Sequence, residues 1–276
     1  MIEKVNKYHP DKVADRIAGA LVDYCYTIEE RPKCAFEVLL GHGNCTINGE
    51  ASVEIPKEVY TDIINRITGK DLSINYYVVP QDKHLAGNQT DKIRCGDNGV
   101  FRSNYTKEYE EATNIAKEIT RHYNRDGKYI FDTNEAIICQ SGTIDYDLIK
   151  EIVNKEKVVI NPLGDWEGGE DVDAGCTNRK LGSDQPLAQP NGLHGKDLSK
   201  ADVSISIYLA LKSKELNKPL ETRVAIGDEK VLIDNELIEY ETITNYVKEY
   251  ISKLGGFEKF AEWGIQYWKE GEKDEW

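Results

Sequence analysis

The sequence predicts an α+β fold, with mixed or antiparallel sheets covered by helices on one face. Two observations carry this. Helical and hairpin patterns alternate along the chain without the strict βαβα rhythm of a doubly wound sheet. Apolar residues, 39% of the 276, recur along the whole length, which suits a folded chain of one to three domains rather than a disordered one. No internal repeat and no low-complexity segment is visible.

Each element follows from local signals. Residues 10–25 read as a helix, with Val13, Ile17, Leu21 and Tyr24/Cys25 at helical spacing. Pro10 suits the first helical position and makes His9 the N-cap. Residues 33–40 and 44–48 read as strands joined through Gly41-His42-Gly43, a hairpin. Residues 56–68 are helical, opened by Pro56 and closed by Gly69, and 74–79 (INYYVV) are a strand. The polar stretch 80–100 reads as a loop. Residues 106–123 are a helix with Ala112, Ile115, Ala116 and Ile119 on one side. A short hairpin is expected at 128–131 and 135–139, a helix at 145–154 and a strand at 157–160. A long irregular stretch, 161–196, follows. The next helix runs from about 198 to 215. A strand at 222–226, extended chain over 230–239, helices at 241–254 and 256–268, and a frayed acidic tail complete the reading.

Composition narrows the function classes. Lys and Arg total 35 and Asp and Glu 49, for a net charge of −14. Such a surface disfavours duplex nucleic acid as a partner, because phosphate backbones need a basic one. No apolar run approaches the ~20 residues that span a bilayer, and no apolar segment resembling a signal peptide follows the start. Neither nucleic acid nor membrane is expected as a partner. The six cysteines (Cys25, Cys34, Cys45, Cys95, Cys139, Cys176) form no CxxC pair and no zinc spacing, which points to reduced thiols and a cytoplasmic setting.

Four places offer chemistry. His9-Pro10-Asp11-Lys12 opens a helix, whose N-terminus attracts anions. Asp11 suits Mg²⁺, which binds through one or two carboxylates plus substrate phosphates. An ordinary capped helix reads the same way. The second is 161–202. Over 176–200 Arg179, Lys180, Lys196 and Lys200 outnumber Asp184 and Asp197, a local charge of +2 in an acidic chain. Lys196 and Lys200 lie four apart at a helix start and can face one anion. Asp173 and Asp202 place carboxylates beside these cations, a mixture that suits polyphosphate with Mg²⁺. Trp166 reads as a base-stacking ring or a packed core residue. The third, Gly96-Asp97-Asn98-Gly99, is by itself a turn. The fourth is Glu37 and Glu50. Glu37 interrupts an apolar strand and is either a buried carboxylate needing a partner or an outward-facing one.

Taken together and in order, these pieces resemble S-adenosylmethionine synthetase (methionine adenosyltransferase). HPDKVAD resembles that family's GHPDK-x-x-D, and CGDNGVF its GDQG-x-x-F. NPLGDWEGGEDVDAGCTNRK is similar to NPTGRF-x-x-GGP-x-GDAGLTGRK, and HGKDLSKADVS to SGKD-x-x-K-x-DRS. ETRVAIG and FAEWGIQYW resemble later segments of the family. The resemblance implies three similar α+β subdomains about a pseudo-threefold axis: 1–105, a trimmed 106–165, and 166–276. It implies a homodimer with active sites between subunits, ATP and L-methionine as substrates, two Mg²⁺ and a K⁺. In the implied reaction the methionine sulfur attacks C5′ of ATP, and the departing tripolyphosphate is hydrolysed.

The resemblance also implies roles. His9, Lys196, Arg179 and Lys180 would be catalytic. ATP would meet His9, Asp132, Asp165, Trp166, Asp173, Arg179, Lys180, Gly192 and Lys196. Methionine would meet Glu50, Gln89, Asp97, Asp173 and Lys200. Asp11 and Asp202 would hold Mg²⁺, and Glu37 with Glu3 the K⁺. The chain departs from the family in being shorter, with KHLAGNQTDKIR where the family has a gating loop. Asp165 replaces the Arg of GRF. The family's central Asp-(Gly/Ala)-Lys-(Ser/Thr)-Gln is matched to Asp132-Thr133-Asn134-Glu135-Ala136, which puts Asn134 in the place of a phosphate-binding Lys. His194 or Lys128 are the cations at hand to compensate. The loss of two cations leaves a second reading open, a catalytically inactive nucleotide-binding or regulatory relative. A third is an enzyme that kept the pocket and changed the reaction.

Overall fold

The structure, a computed structural model, describes residues 1–188 and 191–267. The chain runs β1 (Ile2–Val5), α1 (Pro10–Ile28), β2 (Cys34–Gly41), β3 (Asn44–Ala51), α2 (Lys57–Thr68), β4 (Ser73–Val79), α3 (Lys83–Gly87), β5 (Gly99–Ser103) and α4 (Lys107–His122). It continues β6 (Gly127–Phe131), β7 (Glu135–Gln140), α5 (Tyr146–Val153), β8 (Lys157–Ile160), β9 (Gly175–Cys176), α6 (Leu181–Asp184) and α7 (Ala201–Leu216). The rest is β10 (Leu220–Val224), β11 (Lys230–Ile233), β12 (Glu236–Glu239), α8 (Tyr240–Leu254) and α9 (Phe257–Trp263).

Two four-stranded sheets share one topology. In order they are β9-β2-β3-β4 and β1-β6-β7-β8. In each a hairpin is followed by a helix and then a strand parallel to the hairpin's second member, while an edge strand pairs antiparallel with the first. The sheets are therefore mixed, with one parallel pair apiece, within the α+β class of mixed or antiparallel sheets that was expected. The third stretch forms two two-stranded ladders, β10-β5 and β11-β12.

Local chemistry explains the element ends. The β2–β3 turn has His42 and Gly43 at φ 51° and 80°, and the β11–β12 turn has Asp234 and Asn235 at 53° and 64°. Two consecutive positive φ values match the right-handed twist of a hairpin. Gly69 stops α2 in the left-handed conformation, as expected. Four expectations shift. Pro56 is the N-cap of α2, not its first residue. The 80–100 loop contains α3 and the start of β5. Strand β10 starts two residues before the predicted 222. Helix α9 ends at Trp263, where Gly264 breaks it, and the predicted end at 268 and the tail lie outside the described residues.

The buried apolar residues form two cores. The larger joins α1, α7, α8 and α9 to one face of β2-β3, and the smaller packs α4 and α5 on β6-β7-β8 with Trp263. Helix α7 is buried over most of its first ten residues, and its apolar side chains have no single face, the pattern of a central helix. One close crossing depends on a missing side chain. A Cβ on Gly19 would lie 2.7 Å from the Phe257 carbonyl oxygen where α1 meets α9.

Gly19→Ala should therefore destabilise the chain by ~1–3 kcal/mol through overpacking, although Ala is the better helix former. Urea denaturation measures it, and a raised midpoint would sink this account of the crossing.

Candidate active site

The site begins at the first turn of α1. His9 is the N-cap in extended conformation, and its Nδ1 accepts the Asp11 N–H at 3.2 Å. The Lys12 and Val13 N–H groups both bond the His9 carbonyl. The helix start thus has no open cradle of N–H groups for an anion, contrary to the expectation. Instead, with Nδ1 accepting, the neutral ring carries its proton on Nε2. Burial holds His9 down to about 4, with Lys180 and Lys128 pushing the same way and Asp11 resisting. The imidazole is neutral at physiological pH.

Two chain segments are laid over this turn, both fastened to the free edge of β2. Thr177 N–H bonds the Val38 carbonyl, Phe36 N–H bonds Gly195, and Asp197 N–H bonds Cys34. Gly175 passes so close to α1 that a Cβ would sit 2.0 Å from the Pro10 carbonyl oxygen. The first segment is also tied to α1 from below: Cys176 N–H donates to Asp11 Oδ1 at 2.8 Å and Asn178 N–H to Asp15 Oδ1 at 2.8 Å. Asn178, in the left-handed conformation, then accepts the N–H groups of Leu193 and His194 at 2.9 and 3.0 Å and stitches the two segments together. Sequence reasoning missed Asn178. An Asn at a tight bend just before Arg-Lys was the available signal.

Beneath them lies a buried ionic cluster. Lys12 Nζ sits 2.5 Å from Asp184, 3.1 Å from Asp15 and 3.4 Å from His194 Nε2, and His194 Nε2 is 2.9 Å from Asp184. All four are almost fully enclosed. Asp15, Asp184 and His194 converge like a metal-ligand set, but the ammonium occupies that position. Burial works against the charges of Lys12 and Asp184. Their mutual attraction prevails, so Lys12 is raised and Asp184 lies well below the usual carboxylate range.

The predicted site residues gather in two clusters. Around α1, Lys180 Nζ lies 2.9 Å from Asp11 Oδ2 and Arg179 Nη1 3.7 Å from Asp11 Oδ1, with Arg179 58% exposed. At the second segment, Lys196 pairs with Asp202 at 2.8 Å, and a Cβ on Gly192 would lie 3.0 Å from that ammonium. Asp97 belongs to this cluster. Burial and the charge of Asp202 raise it, against Lys200 and Lys196. The loop carrying it is pinned where Gly96 N–H bonds the Ser199 carbonyl. Gln89 is buried beside Gly96 with an unpartnered side-chain nitrogen. Lys200 is the buried N-cap of α7. The helix starts at Ala201, so Lys196 lies outside it, in extended chain bridged to Ala35.

The other predicted residues lie outside these two clusters. Asp132 is in the β6–β7 turn, 3.7 Å from the Met1 amine. Asn134 is in the same turn. The register Val5↔Lys128 instead sets the start of β6 beside the end of β1, just before His9. The triplet Asp126-Gly127-Lys128 carries the Asp-Gly-Lys order of the family segment six residues earlier than the sequence reading put it. The four residues from Lys128 to Asp132 are roughly 13 Å of strand, which puts Asp132 at the opposite end of β6 from Lys128. Asp126 accepts the Gly169 N–H at 3.1 Å, and its other oxygen is buried without a partner. Burial, then Asp173, Glu170 and Asp11, push it up to about 6.

Asp165 is exposed and meets Tyr146 at 3.3 Å. Trp166 is half-buried and donates to Asn161 at 3.3 Å, and exposed Asp173 accepts its neighbour's N–H. Glu37 points outward from β2 and accepts the Thr177 hydroxyl, while Glu3 pairs with Lys128 at 3.2 Å on the other sheet. The two face different partners. Glu50 is half-buried, opposite Ala35 and Val79.

Residues 1–89 match the sequence profile described as S-adenosylmethionine synthetase, N-terminal domain. The S-adenosylmethionine synthase of Helicobacter pylori (strain HPAG1) is 26% identical, over 78% of this chain and 72% of its own. That of Mycoplasmopsis pulmonis (strain UAB CTIP) is 27% identical, over 82% and 76%. The chain is similar to the S-adenosylmethionine synthetase family, through the profile over its first 89 residues and through these relatives. In this relative of the S-adenosylmethionine synthetases, His9 and Asp11 rest on α1, the paired cations on the segments fastened to the edge of β2, and Asp202 on the first turn of α7.

Two predictions follow from this floor. Lys12→Ala strands two buried carboxylates and should cost ~3–5 kcal/mol in chemical denaturation. In an NMR titration the His9 ring should protonate near pH 4 rather than at its ordinary 6.5. The unfolded chain takes up that proton first, so the contribution of His9 is complete above 6.5 and is lost as pH falls toward 4. Asp126 opposes it. The folded chain holds its proton more tightly, so the burial cost is relieved as pH falls from 6 toward 3.8.

Proposed function

We propose that the chain is a methionine adenosyltransferase, joining ATP and L-methionine to S-adenosylmethionine. The observation that carries this is the pairing of Arg179 and Lys180 with Asp11 beside a neutral His9, with Lys128 nearby, together with a second cluster that pairs Lys196 with Asp202. The sulfur lone pair forms the bond to C5′. The C5′–O5′ bond breaks, and its electrons leave with the tripolyphosphate, which water then splits into phosphate and diphosphate. A thioether carries no proton, so the nucleophile needs no base. The work is alignment and stabilisation of the leaving charge. His9 Nε2–H donates to the departing oxygen, and the cations grip the phosphates.

In the free chain Lys180 and Lys196 are held by Asp11 and Asp202. Phosphates arriving with Mg²⁺ would exchange those partners, each lysine for phosphate and each carboxylate for metal. This all-carboxylate set suits a hard divalent ion, which supplies charge neutralisation on the phosphates. Asp126 and Asp173 add acid at the same end. At the other end Lys200 would hold the methionine carboxylate, with Asp97, Glu50 and the unpartnered Gln89 nitrogen facing the amino acid. Trp166 would stack on adenine, and Glu37 with the Thr177 hydroxyl would meet K⁺. The open face of β2-β3-β4, with Leu39 53% and Tyr77 70% exposed, would pair with a second copy, and the third unit would complete a pseudo-threefold arrangement. Six free thiols and the lack, among the described residues, of a helix long and apolar enough to cross a membrane accord with a cytoplasmic setting. The inactive reading rested on two missing cations, and Lys128 at Asp126-Gly127-Lys128 removes one of them.

Chromatography after incubation with ATP, methionine, Mg²⁺ and K⁺ should reveal S-adenosylmethionine. His9→Ala and Lys196→Ala should each lower turnover by about 10²-fold or more. Lys128→Ala should lower it strongly, while Asn134→Ala leaves it unchanged. Wild-type turnover in the His9 and Lys196 variants would refute the assignments, and the reverse order for Lys128 and Asn134 would restore the original register.

A further inference from the structure

Beyond the clusters on α1 and α7, one arginine organises the loop that carries Gln89 and Asp97. Gln89 Nε2 lies against Gly96, 3.5 Å from where a Cβ on that glycine would stand, so the loop turns back on itself beside Asp97. Arg94 closes it. Its Nη1 donates to the Asn88 carbonyl at 3.0 Å and to Asp91 Oδ1 at 2.8 Å, and its Nη2 to Asp91 Oδ2 at 3.0 Å. Its Nε donates to Glu229 Oε1 at 3.1 Å, so every guanidinium nitrogen is engaged. Glu229 also holds Lys92, at 2.5 Å. It stands in the turn between β10 and β11, and its carbonyl accepts the Tyr240 N–H. The main chain is fastened at the same turn. Cys95 N–H donates to the Asp228 carbonyl at 3.0 Å, and Gly227 N–H to the Cys95 carbonyl at 2.8 Å. The Asn88 side chain donates to that Cys95 carbonyl as well, at 2.9 Å.

We infer that Arg94, seated on Glu229, is a positioning residue that fixes Gln89 and Asp97 for the amino-acid substrate, an inference that rests on the proposed adenosyl transfer. An ordinary exposed ion pair fixes little. Here a planar fork is held at two points by one carboxylate, at a third by another and at a fourth by a carbonyl. A slip of the loop breaks several directional bonds at once. The two carboxylates come from opposite sides, Asp91 from the loop and Glu229 from the β10–β11 turn, so the guanidinium joins what it holds. The segment that stands in place of the family's gating loop is thus strapped down. A site formed in advance spares the ligand the cost of ordering the loop. Loss of the clamp therefore weakens methionine binding more than it slows the chemistry. No residue assigned to ATP lies in the loop.

Steady-state kinetics and amide exchange on the full chain test this together. Arg94→Gln removes the fork and keeps a polar side chain, and circular dichroism checks that the variant folds. It should raise KM for methionine roughly tenfold or more, while kcat and KM for ATP stay within about twofold. General loosening of the fold would not give that split. Glu229→Ala should act in the same direction, and the double variant should be no worse than Arg94→Gln alone, because both remove one clamp. Arg94→Lys should fail to restore the wild-type KM, since an ammonium cannot make the bidentate pair. In the ligand-free chain, hydrogen–deuterium exchange over 88–96 should be slow in the wild type and at least about tenfold faster in Arg94→Gln. An unchanged KM for methionine, an equal rise in both KM values, or fast exchange over 88–96 in the wild type overturns the inference. If the wild type makes no S-adenosylmethionine, it is the proposed activity that fails, and the exchange result alone then decides whether Arg94 fixes this loop.

Discussion

A single buried ammonium, that of Lys12, is what the site rests on. Placed in a dry interior it demands carboxylates, and it draws Asp15 from its own helix and Asp184 and His194 from two distant segments. Asp15 in turn holds the backbone of Asn178, and Asn178 holds the segment that ends in His194. The loop of hydrogen bonds and ion pairs closes on itself. Removing a member exposes an uncompensated charge, which is why a buried pair is costly to break even where it adds little net stability. Positional definition is what the cluster supplies to the groups above it.

Above this floor the functional side chains are arranged by sign. Lys180 leans on Asp11 and Lys196 on Asp202, so each cation is paired before any ligand arrives. His9 is kept neutral by burial and by the cations around it, and keeps a proton to donate where a protonated ring would have added another charge. Acid collects at one end through Asp126, Asp173 and Glu170. A resting state with its lysines paired in this way favours a ligand that brings both phosphate and metal, since either alone leaves one set of partners unmatched.

Much of this was legible in sequence where the signal is local. Pro10 after His9 set the cap of α1, Gly69 stopped α2, and alternating apolar residues marked the hairpins. Arg179, Lys180, Lys196 and Asp202 stood out because cations cluster in a chain otherwise rich in acid. What was hidden depends on long-range pairing. Lys128 reaches His9 only through the register of β1 on β6, whereas Asp132-Thr133-Asn134 looks like a motif and folds as a turn. Lys12 reads as one letter of a motif until Asp184 is brought to it across the fold. The two-residue β9 has no pattern of its own, since the edge of β2 makes it a strand. Glu3 and Glu37 are both acidic strand residues, and nothing local tells which sheet each will join.

The fastening of both overlying segments to β2 through main-chain amides has a consequence for how the molecule tolerates change. A carbonyl accepts the same hydrogen bond whatever side chain its residue carries. Between such anchors, substitutions and deletions can accumulate while the few charged groups keep their coordinates. A chain can thus drift to about a quarter identity with its relatives, and shed length from its connections, without surrendering the geometry its chemistry requires.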